Sequence, residues 1–211
     1  MSVFADATSG LVTPVGMKFG PNGDLYVADD NNTIEEITPA GVETTFYYGG
    51  LHSPNDVAFD KSGNLYISDS SGTSIFEVTP SGTKSTFAGG LSAPEGIAFD
   101  ASGNLYVANQ AANNLIKITP TGSESVFATG LNEPVGVAVD RLGNVFVGNY
   151  GTNSVLEYAP SGVPSTFASG LNGPEFLAFS VPAATPEPGT LALIGSCGIV
   201  AFGLLQRRRR K

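Results

Sequence analysis

The sequence predicts an all-β protein, a β-propeller, followed by one transmembrane helix at its C-terminal end. Three observations predict it. Gly-Leu recurs at Gly10-Leu11, Gly50-Leu51, Gly90-Leu91, Gly130-Leu131 and Gly170-Leu171, a spacing of 40 residues each time. Each unit holds four short runs rich in Val, Ile, Phe and Tyr, the composition of strands. No segment before residue 190 carries a helical period of useful length. Four antiparallel strands in about 40 residues, repeated, mark a propeller blade. A parallel β-helix is the structural alternative, but its coils are usually shorter and lack hairpins.

Taken in order, Ser2-Val3-Phe4-Ala5 matches the outermost strand of a blade. Complete blades follow at 10–49, 50–89, 90–129 and 130–169. In the third, the runs are Gly96–Phe99, Leu105–Ala108, Leu115–Ile118 and Ser125–Ala128. Asp100-Ala-Ser-Gly-Asn104 places Gly103 where a tight hairpin needs φ > 0. Thr119-Pro120-Thr121-Gly122 turns the third run into the fourth. Ile97-Ala98-Phe99 and Leu105-Tyr106-Val107-Ala108 are apolar throughout, as expected of strands packed on both faces by neighbouring blades. Gly16, Gly96 and Gly136 leave room where the first strands crowd the axis, as do Ala58, Ala98, Ala138 and Ala178. Residues 175–179 repeat an innermost strand. With 2–5 they supply the outer and inner strands of a fifth blade without its middle two. The expectation is the C-terminal part of a six- or seven-bladed ring, with a small four-bladed ring as the alternative.

Pro94-Glu-Gly-Ile-Ala-Phe-Asp100, Gly103-Asn-Leu-Tyr-Val-Ala108 and the Asn-rich stretch before Leu115 resemble NHL repeats. They are also similar to repeats of streptogramin lyase and gluconolactonase-like propellers. The resemblance covers residues 10–180 and implies the fold. It does not imply one function, because those families include binding modules and enzymes.

After Phe179 the pattern changes. Residues 181–190 read as a linker containing Pro186-Glu187-Pro188, 191–205 as a transmembrane helix, and 206–211 as a basic cytoplasmic end. Fifteen apolar residues make a helix of about 22 Å, short for a hydrocarbon core of about 30 Å. Flanking residues and snorkelling arginines extend it. Arg207, Arg208, Arg209 and Arg210 should stay inside, which places the propeller outside. The order Pro-Glu-Pro, apolar run, arginine cluster resembles a PEP-CTERM tail. That resemblance implies an exosortase-type processing enzyme as partner, with Pro186, Glu187, Pro188 and the four arginines as the sorting motif. It also implies an inner-membrane intermediate and then display on the cell surface or in the extracellular matrix. A simple membrane anchor is the plainer alternative. An exported protein should begin with a signal peptide. Met1–Asp6 lacks a basic and an apolar region, so the signal and further blades are expected upstream.

Composition narrows the function classes. Residues 1–180 hold 18 acids and five bases, a net of −13, whereas 181–211 carry +4. Such a body repels nucleic acid. One cysteine excludes a disulfide framework, and one histidine excludes a two-histidine metal centre.

The second-strand ends Asp29, Asp69, Asn109 and Asn149 share one repeat position and one mouth of the propeller. Asn31, Asn32, Asn113, Asn114 and Asn153 lie beside them, with Glu95, Glu133 and Glu175 in the Pro-x-Gly turns. This oxygen-rich face suits a divalent cation such as calcium, although Asp and Asn also cap turns, and no cofactor is demanded. Asp60, Asp100 and Asp140 read as hairpin chemistry at the opposite mouth. The repeat is broken in the second blade, where His52, Asn55 and Asp56 form a non-repeated polar cluster. A lone histidine is more often an ordinary surface residue. Two functions compete: an exported binding or scaffolding module for an envelope polysaccharide or protein, and a metal-dependent lyase or lactone hydrolase. The first is favoured, with no catalytic residue assigned. The streptogramin lyase pattern often has Trp where Tyr26, Tyr66, Tyr106 and Phe146 stand, and Trp is absent.

Overall fold

A computed structural model describes residues 10–179 and the backbone of 191–195 and 200–201. Four four-stranded antiparallel sheets follow one another, each in simple up-and-down order. The first contains β1 (Pro14–Phe19), β2 (Leu25–Asp29), β3 (Thr33–Ile37) and β4 (Glu43–Tyr48). The second contains β5 (Pro54–Phe59), β6 (Leu65–Asp69), β7 (Ser74–Val78) and β8 (Lys84–Gly89). The third contains β9 (Pro94–Phe99), β10 (Leu105–Asn109), β11 (Asn114–Ile118) and β12 (Glu124–Thr129). The fourth contains β13 (Pro134–Val139), β14 (Val145–Asn149), β15 (Ser154–Tyr158) and β16 (Pro164–Ser169). A fifth sheet begins with β17 (Pro174–Phe179). The first strands β1, β5, β9, β13 and β17 lie side by side in turn, so the sheets are blades around a common axis. Single 3-10 turns at Gln110–Ala112 and Tyr150–Thr152 interrupt the otherwise all-β course.

Hairpin chemistry sets the register. Asp60 Oδ1 accepts from the Ser62 and Asn64 N–H groups, and Asn64 Nδ2 donates to Asp60 Oδ2, with Gly63 at φ +83°. The same clasp recurs at Asp100 and Asp140. Every residue of β6, β10 and β14 is buried, as two packed faces require. Blades lock through one recurring aromatic step. Tyr26 meets Phe46 of its own blade at 5.0 Å and Phe59 of the next at 4.9 Å, both edge-on. Tyr66 repeats this with Phe87 and Phe99, and Phe146 with Phe167 and Phe179. Such edge-to-face pairs add about 0.5–1.5 kcal/mol beyond their burial. Near the axis, backbone meets backbone. A Cβ on Gly96 would stand 2.4 Å from the Val135 carbonyl oxygen, and one on Gly136 the same distance from that of Glu175.

The tail departs from expectation where it is described. Within 191–205, read above as a transmembrane helix, Leu191–Gly195 is strand β18 and Val200–Ala201 is strand β19. Strand β18 pairs antiparallel with β17, Phe179 opposite Leu191 and Leu177 opposite Leu193, and β19 pairs with β18. No helix among the described residues is long and apolar enough to cross a membrane. The physical reason is backbone satisfaction: beside the edge of β17, an apolar segment finds partners for its N–H and C=O groups by extending the sheet. The expected strand at 2–5 and the residues Pro186, Glu187, Pro188 and Arg207–Arg210 lie outside the described residues.

Candidate functional site

The repeated acids and amides of the loop face are spent on backbone. Asp29, fully buried, accepts from the Val12 and Thr13 N–H groups at 2.7 Å each. Asp69, also fully buried, accepts from His52 N–H at 2.8 Å and Gly72 N–H at 3.1 Å. Asn109 accepts from Ser92 N–H at 2.6 Å, and Asn149 from Asn132 N–H at 2.7 Å. Each therefore ties the end of a second strand to the loop leading into the first strand of its own blade. The next row ties one blade to the next. Asn32, Asn113 and Asn153 sit at positive φ and accept from the N–H groups of Ser53, Glu133 and Gly173. Asx side chains tolerate this backbone and bond it locally.

The structure does not gather His52, Asn55 and Asp56 at one point. The His52 ring is 70% exposed, with Nδ1 3.8 Å from an Asp69 carboxylate oxygen. Asp56 reaches across the blade interface: Oδ2 accepts from Ile97 N–H at 2.9 Å, and Oδ1 from Val57 N–H at 2.8 Å. Its own N–H donates to Ser68 Oγ at 2.9 Å. Burial pushes its carboxyl up to about 6, against the pull of the two N–H groups and of Lys18. Asn55 lines the axis, and its Oδ1 is buried without a hydrogen-bond partner among the described residues.

That axis holds a cavity of about 220 Å³. Its wall takes one residue from each blade, the one after the proline that opens the first strand: Val15, Asn55, Glu95, Val135 and Glu175. Gln110 and Tyr150 reach it from the loops after the second strands, with Glu133 and Phe176 completing the lining. Glu95 is pushed up to about 7, first by burial and then by the charges of Asp56 and Glu175. Carboxylates held near neutrality in a cleft are characteristic of functional sites. Among the described residues, no three His, Cys, Asp or Glu side chains are grouped so as to hold a metal ion.

The sequence reading reached Asn55, Glu95, Glu133 and Glu175 but assigned the glutamates to a broad loop face. It missed Gln110, Tyr150 and Phe176. A signal existed: the position after each proline varies as Val, Asn, Glu, Val, Glu while the proline before it is kept in all five units. Phe176 stands where three blades have glycine.

Solved structures of the same fold support the blade assignment. Streptogramin B lyase superimposes with a TM-score of 0.69 at 18% identity, over 89% of this chain and 63% of that one. Virginiamycin B lyase from Staphylococcus aureus gives 0.69 at 17%, over 85% of this chain and 62% of that one. The chain thus spans less than two thirds of these lyases. A chain of a nidogen/laminin complex gives 0.75 at 22%, over 85% and 71%. A protein assigned as a gluconolactonase gives 0.71 at 22%, over 85% and 70%. At these identities the likeness is one of fold. No curated protein matches the chain. Residues 184–210 match the PEP-CTERM protein-sorting motif, the mark of an exported protein sorted by an exosortase-type system through a membrane-held intermediate. Residues 8–179 match the SMP-30/Gluconolactonase/LRE-like region, and the chain belongs to that family of β-propellers.

Proposed function

We propose that the protein is an exported binding module that takes a piece of an envelope polysaccharide or protein into its axial cavity, without catalysis. The observation that carries this reading is the cavity wall. The blades are otherwise near-copies, yet the residues they turn to the axis run Val, Asn, Glu, Val, Glu, which breaks the symmetry where a ligand needs it broken. The test is binding of the full chain to an array of bacterial envelope glycans. Val135→Trp, which fills the cavity, should abolish the signal, and retention of signal would place binding elsewhere.

A second reading rests on Glu95. A carboxyl at about 7 is poised as a general base at neutral pH, which suits the lyase or lactone hydrolase alternative. Such chemistry in this family would call on a divalent cation. The fit here is poor. The cavity is lined by Glu95, Glu133 and Glu175, but among the described residues no three carboxylates are grouped to hold an ion, and Asp56 spends both oxygens on backbone N–H groups. Turnover of an envelope glycan, lost in Glu95→Gln while binding survives, would favour the enzyme.

The tail belongs to the same reading. In a bilayer no strand edge is available, and residues 191–205 satisfy their backbone internally as a transmembrane helix. Arg207–Lys211 hold it with the propeller outside until the exosortase-type enzyme acts near Pro186-Glu187-Pro188. Replacing those three residues by alanine should leave full-length protein in the membrane fraction on immunoblots. Unchanged processing would leave a plain anchor.

A further inference from the structure

The tail joins the propeller in the register of a blade. In each complete blade the proline that opens the first strand stands opposite the last residue of the second strand. The last residue of the first strand stands opposite the first residue of the second. In the second blade these pairs are Pro54 with Asp69 and Phe59 with Leu65, with an irregularity just after the proline. In the third they are Pro94 with Asn109 and Phe99 with Leu105. In the fifth sheet Pro174 stands opposite Gly195 and Phe179 opposite Leu191, with the same irregularity after the proline. The next pairing agrees as well. Ile194 stands opposite Val200 and Leu193 opposite Ala201, the spacing of Ala28 with Ile34 and Val27 with Glu35 in the first blade. A slip of one residue would turn every side chain to the other face, so agreement along two pairings is specific. Among the described residues β17 has no hydrogen-bonded neighbour other than β18. Without it, β17 would present a row of unpaired N–H and C=O groups.

The register is kept, but the devices that lock it are missing. Asp60, Asp100 and Asp140 clasp the hairpin between first and second strands. Asp29, Asp69, Asn109 and Asn149 tie the end of the second strand to a loop. A ring at the second position, Tyr26, Tyr66 or Phe146, meets the next blade. In the tail, the connection from β17 to β18 runs over residues 180–190, against 60–64 in the second blade, and contains no Asp. The longer connection adds closure entropy. Gly195 stands where the other blades have Asp or Asn, and Ala192 where they have Tyr or Phe. What remains is backbone pairing and apolar character, and a bilayer satisfies both when the same run becomes a helix.

We propose that the apolar run of the sorting tail has a second role, as the middle strands of the fifth blade, and that the edge of β17 and the membrane compete for it. The inference rests on the reading that this run crosses the bilayer as a helix. Residues 191–195 cannot be extended and helical at once, so each state excludes the other. Held on β17, the run is withheld from the membrane. Inserted, it leaves the edge of β17 unpaired.

The test is register-specific cross-linking of the full chain, with Cys197→Ser as background and cell-free synthesis without lipid. Ala178 is exposed and stands opposite Ala192. Ala178→Cys with Ala192→Cys should form a disulfide at least five-fold more than Ala178→Cys with Leu193→Cys, whose positions fall on opposite faces of the sheet. Synthesis in the presence of phosphatidylethanolamine and phosphatidylglycerol vesicles should lower the first disulfide at least five-fold. Chain oxidised before vesicles are added should stay extractable by alkali, and dithiothreitol should restore insertion. Equal cross-linking of the two pairs would overturn the proposal, as would a disulfide yield unchanged by vesicles, or insertion of the oxidised chain as complete as that of the reduced. Failure of the reduced chain to insert would instead overturn the transmembrane helix, and the competition with it, whatever the cross-linking without lipid.

Discussion

Gly96→Ala is expected to destabilise the protein by about 3 kcal/mol or more, through forced separation of the third and fourth blades. The added Cβ would stand 2.4 Å from the Val135 carbonyl oxygen, 2.9 Å from Val137 N and 3.1 Å from Gly136 Cα. All three are backbone atoms of β13, so no side chain can rotate away. Relief requires one blade to move against the other, and the edge-on contact of Phe127 with Tyr158 at 5.9 Å across these two blades resists that movement. Gly82→Ala is the control. It sits in a hairpin at φ +83° with nothing within 4 Å of an added Cβ, so it meets only the left-handed backbone cost of about 1 kcal/mol. Urea unfolding of the two variants beside wild type measures the difference. Equal losses would mean that the blades are not held at backbone contact along the axis.

Stability is expected to fall as pH rises from about 4 to 7, the reverse of ordinary acid denaturation, and Asp56→Asn should remove much of the fall. The Asp56 carboxyl goes from 3.8 unfolded to about 6 folded, so the folded state holds its proton more tightly. Its contribution is complete below pH 4 and is lost as pH climbs through 6. Full ionisation removes on the order of 3 kcal/mol. Glu95, raised from 4.5 to about 7, acts in the same direction slightly later. Asp100, held low by the Asn104 and Ser102 donors and by Lys117 despite its burial, acts in the opposite direction and loses stabilisation as pH falls. An amide at position 56 cannot ionise, but it presents an NH₂ group to one of the two N–H donors. That mismatch costs about 1 kcal/mol, leaving a net gain of about 1–2 kcal/mol at pH 7.5. Urea midpoints from pH 4.5 to 8 read both the slope and its loss. A wild type that is most stable at pH 8, or a variant with the same slope, would contradict the assignment.

Much of the fold was legible in the residues. Short-range chemistry writes itself into the sequence at fixed offsets. The Asp60–Asn64 clasp needs Asp, Gly and Asn within five residues, and its recurrence at Asp100 and Asp140 marks the hairpin in each blade. Burial on both faces makes Leu105–Asn109 apolar almost throughout. Gly96 and Gly136 signalled crowding at the axis before any distance was known. The Pro-Glu-Pro order and the arginine cluster pointed to the sorting motif without reference to fold.

The candidate site was only partly legible, because it is assembled across blades. Asn55, Glu95 and Glu175 are 40 or more residues apart and meet only because β5, β9 and β17 line one axis. Nothing local separates them from Asp29, Asp69, Asn109 and Asn149, which are equally polar and lie at the same mouth. Backbone donors decide between the two groups: Asp29 and its counterparts are filled by N–H groups, whereas Asn55 Oδ1 is left bare. The fate of residues 191–195 likewise turned on a partner distant in sequence, the edge of β17. Blade number per unit length, strand order and turn type followed from the sequence alone, since they depend on interactions within about 40 residues. Which oxygens are left unsatisfied was decided only by the tertiary structure, because a hydrogen-bond partner is a fact of three-dimensional proximity that no periodicity encodes.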